Sequence, residues 1–82
     1  MKSELELKII SLKEVVKHDY VDSVTLPTTS GEITVLPNHA ALISSLNEGS
    51  VRVRTAEKEE LFETHGGFME TTSDSRLTVL LS

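Results

Sequence analysis

Three histidines, one lysine ringed by carboxylates and a His-Gly-Gly-Phe run are the parts of this chain that could do chemistry. His18, His39 and His65 are the candidate metal ligands or general bases. A zinc site usually draws two ligands from one short spacing, and no such pair occurs here. Only convergence of distant residues would make a site of them, and the plainer reading is three unrelated polar side chains. The run His65, Gly66, Gly67, Phe68 resembles the oxyanion-hole glycines of some esterases, with His65 at hand as a base. That chemistry also needs a nucleophile elbow, G-x-S-x-G, and Gly49-Ser50-Val51 lacks the flanking glycines. Gly66 and Gly67 read more simply as a sharp bend or bulge, where the backbone needs conformations closed to other residues. No GxxxxGK phosphate loop occurs either.

Glu57, Glu59, Glu60 and Glu63 cluster around Lys58. Two carboxylates can share acid–base work when burial separates their pKa values. On an exposed turn they form a solvated face that also discourages edge-to-edge strand pairing. Lipoyl and biotinyl carrier domains are acidic and all-β, and they present one lysine on a hairpin tip, which "AEKEE" loosely resembles. Biotinyl domains flank that lysine with methionines, lipoyl domains usually place Asp before it, and Lys58 lies well past the midpoint. A carrier domain modified on Lys58 is the alternative reading of the chain.

The elements that must position these residues belong to one small domain, expected to span 1–82. With Tyr20, Phe62 and Phe68 as its aromatics, the core rests on Leu, Ile and Val. A chain this short buries only about 60% of its unfolded surface, which leaves little energy for a strained catalytic site. There is no cysteine, so disulfides and thiolate metal sites are out. The net charge of -5 argues against nucleic acid and against a polybasic membrane anchor. No apolar run is long enough to insert in a bilayer, and "MKSELELK" is too acidic for a signal or transit peptide.

Apolar runs recur every eight to twelve residues or so between turn signals, the texture of a sandwich or barrel. Leu5, Leu7 and Ile9 alternate with Glu4, Glu6 and Lys8, although Leu5, Ile9, Leu12 and Val16 also fit a helical stripe. The β-branched pairs Ile9-Ile10 and Val15-Val16 favour strand, turn, strand. Further strands are expected over 20–26, closed by Pro27, and over 33–36, 41–46, 51–55, 60–64, 68–72 and 77–81. Turns fall between them at 28–31, 37–38, 47–50, 56–59 and 73–76. The fold class is all-β, a small antiparallel β-sandwich of about eight to ten short strands.

Taken in order, Gly31-Glu32, the strand 33–36, the corner Pro37-Asn38-His39-Ala40, the Leu-rich strand 41–46, Gly49, the bend Gly66-Gly67-Phe68 and the run 77–80 form a familiar pattern. So does the "V-D-x-V-T-L-P" run from Val21 to Pro27. The chain resembles the amino-terminal β-sandwich of the epsilon subunit of F-type ATP synthases, called delta in mitochondria. The likeness covers essentially the whole sequence, and its strength lies in the order and spacing of pieces that are individually common. Thr34 stands where many members have Gly, and Ala41 where many have Pro. The carboxy-terminal helical hairpin typical of bacterial and chloroplast members is lacking. The chain is therefore either a piece of a longer protein or a short member, and inhibition of hydrolysis and ATP binding are not carried over.

The resemblance implies a non-catalytic rotor part at the foot of the central stalk, holding the gamma subunit to the c-ring so that ion-driven rotation reaches the catalytic head. It implies no cofactor and no metal, and an isolated domain that is monomeric. Ser30, Gly31 and Glu32 match the family's loop towards the c-ring. Ser11, Pro37, Asn38 and His39 match positions near gamma, with His39 either facing gamma or pinning the corner. The expected location is peripheral, through partner subunits, on the cytoplasmic face of a bacterial inner membrane or on a plastid thylakoid.

Overall fold

A computed structural model describes residues 4–82; Met1, Lys2 and Ser3, the start of the expected domain, lie outside the described residues. Nine strands follow one another: β1 (Leu5–Ile10), β2 (Val15–Val21), β3 (Ser23–Thr28), β4 (Gly31–Val35), β5 (Leu42–Leu46), β6 (Gly49–Arg54), β7 (Glu59–Thr64), β8 (Gly67–Thr72) and β9 (Arg76–Leu81). Leu5, Leu7 and Ile9 are all buried, so the first segment takes the two-residue period of a strand and the helical stripe is excluded.

Hydrogen bonding runs continuously through β2-β1-β9-β8-β5-β3-β6-β7, with β4 added to the outside of β3. The sheet folds on itself where β5 passes into β6 through Asn47 and Glu48. Its two layers are β2-β1-β9-β8-β5 and β4-β3-β6-β7, joined by the single β3–β5 pair Thr28–Leu46. A strand that switches sheets at a bend is a standard way to corner such packings. Between the layers lies an aliphatic core in which Leu26, Val24, Val51 and Val53 of one layer share a cluster with Leu7, Ile9, Met69 and Val79 of the other. One pair departs from the antiparallel expectation: β1 and β9 run parallel, in register from Glu6–Arg76 to Ile10–Leu80. They are the first and last strands, so the rest of the molecule is their crossover.

The expected single strand over 20–26 is two strands broken at Asp22. Val21 and Val24 are both fully buried although an odd number of positions apart, which one straight strand cannot achieve. Asp22 donates its N–H to Arg54 O at 2.9 Å and lets the chain cross from the first layer, where Val21 pairs with Leu5, to the second, where Ser23 pairs with Arg54. Pro27 does not end its strand, which continues to Thr28. Its carbonyl accepts Asn47 N–H at 2.7 Å, so its missing donor falls at the gap where β3 changes partner from β6 to β5.

Candidate partner interface

Two residues, Thr29 and Ser30, form the loop between β3 and β4. Gly31 follows at φ 116°, a backbone region that glycine enters without strain. Thr28 Oγ1 donates to Gly31 O at 2.6 Å and accepts from Ser30 N–H at 3.2 Å. Thr29 N–H reaches Ser45 O at 3.0 Å, and Asn47 Nδ2 donates to Thr28 O at 3.3 Å. The tip is thus tied to the bend from both sides while Ser30, Gly31 and Glu32 stay exposed. Glu32 lines a shallow depression of about 240 Å³ with Ser23, Thr25, Thr34, Arg52 and Arg54. The Thr25 and Thr34 hydroxyls meet there at 2.9 Å, and Glu59 Oε2 takes Arg54 Nη2 at 3.0 Å.

The Pro37 corner is a type II turn. Pro37 and Asn38 occupy its centre, Asn38 has φ 66°, and His39 N–H closes it on Leu36 O at 3.2 Å. Ser75, also at positive φ, clamps it: Asn38 N–H donates to Ser75 Oγ at 2.8 Å, and that hydroxyl donates to Asn38 Oδ1 at 3.2 Å. His39 is half-buried and its Nδ1–H reaches Ala40 O at 2.8 Å; the Thr71 hydroxyl donates to the same carbonyl at 2.7 Å. One ring nitrogen of the histidine is thus bonded within its own corner.

Ser11 opens the β1–β2 turn, bonding Glu14 O through N–H at 2.9 Å. It lies at the other end of β1 from the Pro37 corner, which is tied through Ser75 to the N–H of Glu6. The rise of a strand separates the two by roughly 15–20 Å, so Ser11 and the corner do not form one patch.

Gly66 and Gly67 do form a bend, between β7 and β8. The Thr64 hydroxyl donates to Gly66 O and accepts Gly66 N–H, and Ser82 N–H also reaches Gly66 O. That leaves no pair of convergent donors for an oxyanion. His65 is exposed beside Glu48, at 3.2 Å, while His18 sits on β2 against Glu6 at 2.9 Å. The Glu6 carboxyl is held below the usual carboxylate range by the His18 hydrogen bond, burial opposing and Arg76 assisting. The three histidines stay on separate elements. Among the described residues no group of three or more His, Cys, Asp or Glu could hold a metal ion, and no helix is long and apolar enough to cross a membrane.

Lys58 does stand on an exposed hairpin tip, its N–H bonded to Thr55 Oγ1 at 3.3 Å. The carboxylates around it are less uniform than a solvated face. Glu63 accepts the Ser50 hydroxyl at 2.7 Å, and Glu60 turns inward to Lys17 of the opposite layer at 2.8 Å. Glu60 Oε1 is buried, and Lys17 Nζ is its nearest polar partner, with Lys58 Nζ farther off at 3.8 Å. The hydrogen bond from Lys17 keeps the Glu60 carboxyl below its ordinary range, burial opposing and the Lys17 and Lys58 charges assisting.

The sequence reading missed an apolar strip on the outside of the first layer. Register brings Phe68, Leu80, Ile10 and Val15 side by side, with Ile43 adjacent. Ile43 is 69% exposed, Phe68 55% and Leu80 46%. Their parity was the available signal: each falls one residue out of phase with a buried Met69, Val79 or Leu46.

The fold and its surfaces define a small β-sandwich domain with a pinned polar tip and an outer apolar strip. The chain belongs to the ATP synthase delta/epsilon chain beta-sandwich domain family, whose pattern matches residues 4–82. It is 40% identical over 80 residues to the ATP synthase epsilon chain of Desulfitobacterium hafniense, across 98% of this chain and 60% of that one. The epsilon chain of Pelotomaculum thermopropionicum is 42% identical over 74 residues, across 90% of this chain and 54% of its own. This chain thus spans little more than half the length of such relatives. Its fold superposes with a TM-score of 0.91 on a chain from the cryo-EM structure of the Euglena gracilis mitochondrial ATP synthase, OSCP/F1/c-ring in rotational state 1. That match has 22% identity and covers 99% of this chain and 52% of that one. These relationships give no support to the carrier alternative on Lys58.

Proposed function

We propose that residues 1–82 form the amino-terminal domain of a rotor subunit in an F-type ATP synthase. It sits in the central stalk between the gamma subunit and the c-ring and carries no reaction itself. One observation carries the reading beyond the family: the Ser30–Gly31–Glu32 tip is exposed yet braced by Thr28, Ser45 and Asn47. A short, cross-tied hairpin transmits force without yielding, which a coupling part requires. Glu32 offers a carboxylate to polar or basic ring loops, and the Phe68–Leu80 strip supplies apolar area for a subunit contact. The Pro37–Asn38–His39 corner and Ser11 serve the gamma side at separate points. Attachment to the membrane is then peripheral, through partner subunits, at the cytoplasmic face of a bacterial inner membrane or at a thylakoid.

Capture of a purified gamma–c-ring assembly on the immobilised chain tests this. Glu32→Lys is expected to weaken capture while leaving the melting temperature of the isolated domain nearly unchanged. Equal losses in both would make Glu32 a folding residue, and no capture by the unaltered chain would remove the rotor reading.

A further inference from the structure

The continuous sheet leaves strand edges open, and they are not protected alike. On β2, Asp19 Oδ1 occupies the Tyr20 N–H at 2.8 Å, and Lys17 is turned inward. A bulge also interrupts the β1–β2 register. The β7 edge carries Glu59, Glu60 and Glu63. On β5, Ser45 O is taken by Thr29 N–H. These are the usual devices against unwanted strand addition.

β4 has none of them beyond one charge. It pairs only with β3, in unbroken register from Thr28–Gly31 to Val24–Val35. Because Pro27 directs its carbonyl away from β4 to Asn47, its partner Glu32 must direct its own N–H and C=O away from β3. Thr34, two residues on, does the same. Two successive rungs therefore face outward, beside exposed Glu32 and Thr34 side chains and half-buried Ile33.

We propose that β4 is a docking edge to which an extended segment of a stalk partner adds as a further strand. The segment carries Lys or Arg opposite Glu32 and an apolar residue opposite Ile33. Glu32 is the sole charge on β4, and a basic residue across from it is the favourable cross-strand pair. The chain's net charge of -5 works against a second copy as occupant. The proposal rests on the rotor reading, and its test separates the two.

Amide hydrogen exchange is followed on the 82-residue chain alone and with a purified gamma–c-ring assembly. Strand addition slows exchange at the Glu32 and Thr34 amides by roughly tenfold or more, since one added hydrogen bond is worth about 1–1.5 kcal/mol. Thr34→Pro deletes an outward donor and leaves the β3–β4 ladder intact, as edge positions allow. It should weaken assembly binding roughly tenfold, while Thr34→Val, which keeps the amide, binds as the parent does. Binding without new protection at Glu32 and Thr34, or undiminished binding by Thr34→Pro, overturns the docking edge and leaves the rotor reading standing. Absence of binding overturns both. A dimer of the chain alone that Thr34→Pro dissolves assigns the edge to self-pairing and also overturns the proposal. Where Thr34→Pro fails to fold, the exchange pattern of the unaltered chain decides.

Discussion

The two layers are closed along both sides of the sandwich, and the two closures differ in kind. At the bend, β3 meets the β5–β6 connection through backbone: the Thr28–Leu46 pair, Asn47 N–H on Pro27 O and Thr29 N–H on Ser45 O. At the opposite side the outermost strands, β2 and β7, meet through side chains, with Lys17 of one layer against Glu60 of the other. Lys17 is 13% exposed and Glu60 33%, so this ion pair is only partly shielded from water. Backbone closure is indifferent to pH and salt and depends on close chain approach. The ionic closure depends on protonation and tolerates looser geometry. The tip at Ser30 and Glu32 projects from the backbone-closed side, where cross-ties to Ser45 and Asn47 hold it.

The strongest way to break the backbone side is at Gly67, which pairs with Leu46 of the bend and lies in the β8–β9 ladder that supports it. Its φ is 123°, and a Cβ placed there would stand 1.9 Å from Leu80 O, inside the β8–β9 ladder. Neither backbone can retreat without losing that pairing. Gly67→Ala is expected to cost about 2–5 kcal/mol, combining backbone strain with overpacking. Urea unfolding of the two proteins measures it. A loss below about 1 kcal/mol would mean that the bend repacks and that this closure is softer than its geometry.

Much of this was readable in the sequence, and the failures have one cause. The two-residue alternation of Leu5, Leu7, Ile9 and of Val51, Val53 marks strands because each contacts a single layer. Where the chain changes layers, local alternation carries no record of it. Val21 and Val24 fall out of phase because Asp22 hands the chain across, and Pro27 reads as a terminator because its partner change is a tertiary event. The β1–β9 pairing was invisible for the same reason, since it joins the two most distant strands in sequence. At the candidate interface, Gly31, Asn38, Gly66 and Gly67 were legible as turn residues and all four adopt positive φ. Glu60 was misread with its neighbours as solvated, because nothing nearby in sequence reveals that Lys17 faces it.

A milder break falls on the ionic side. Lys17→Met keeps the aliphatic stem but leaves buried Glu60 Oε1 only the more distant Lys58 ammonium, at 3.8 Å. At neutral pH it should cost about 1–2 kcal/mol, the usual range when a charged partner is removed and its mate left unsatisfied. Exchanging Glu60 as well, in Lys17→Met with Glu60→Leu, should recover most of the loss, since an apolar pair of similar shape replaces an ion pair at little cost. A double variant as unstable as Lys17→Met alone would show that the ionic contact itself, not relief of an unpaired carboxylate, closes this side.

Acid offers the smallest and most selective test of the contrast. Lys17 holds the folded-state pKa of Glu60 below its unfolded value, which is about 4.3 for a free glutamate. The unfolded chain then binds more protons between those two values, so stability falls as pH falls through that interval. The contribution is complete above about pH 4.3 and is lost as pH drops through the lower, folded-state value. Glu6 and Asp74, lowered by His18 and by the Thr72 hydroxyl respectively, lose stability in the same direction in both parent and variant, so they cancel in a comparison. Denaturant midpoints of the parent and Lys17→Met should therefore differ most at neutral pH and converge as pH is lowered below about 4. The Gly67→Ala gap should stay constant over the same range, because no titrating group takes part in the Leu80 contact. A Lys17 gap that is equally flat would make the two closures alike after all, both set by packing.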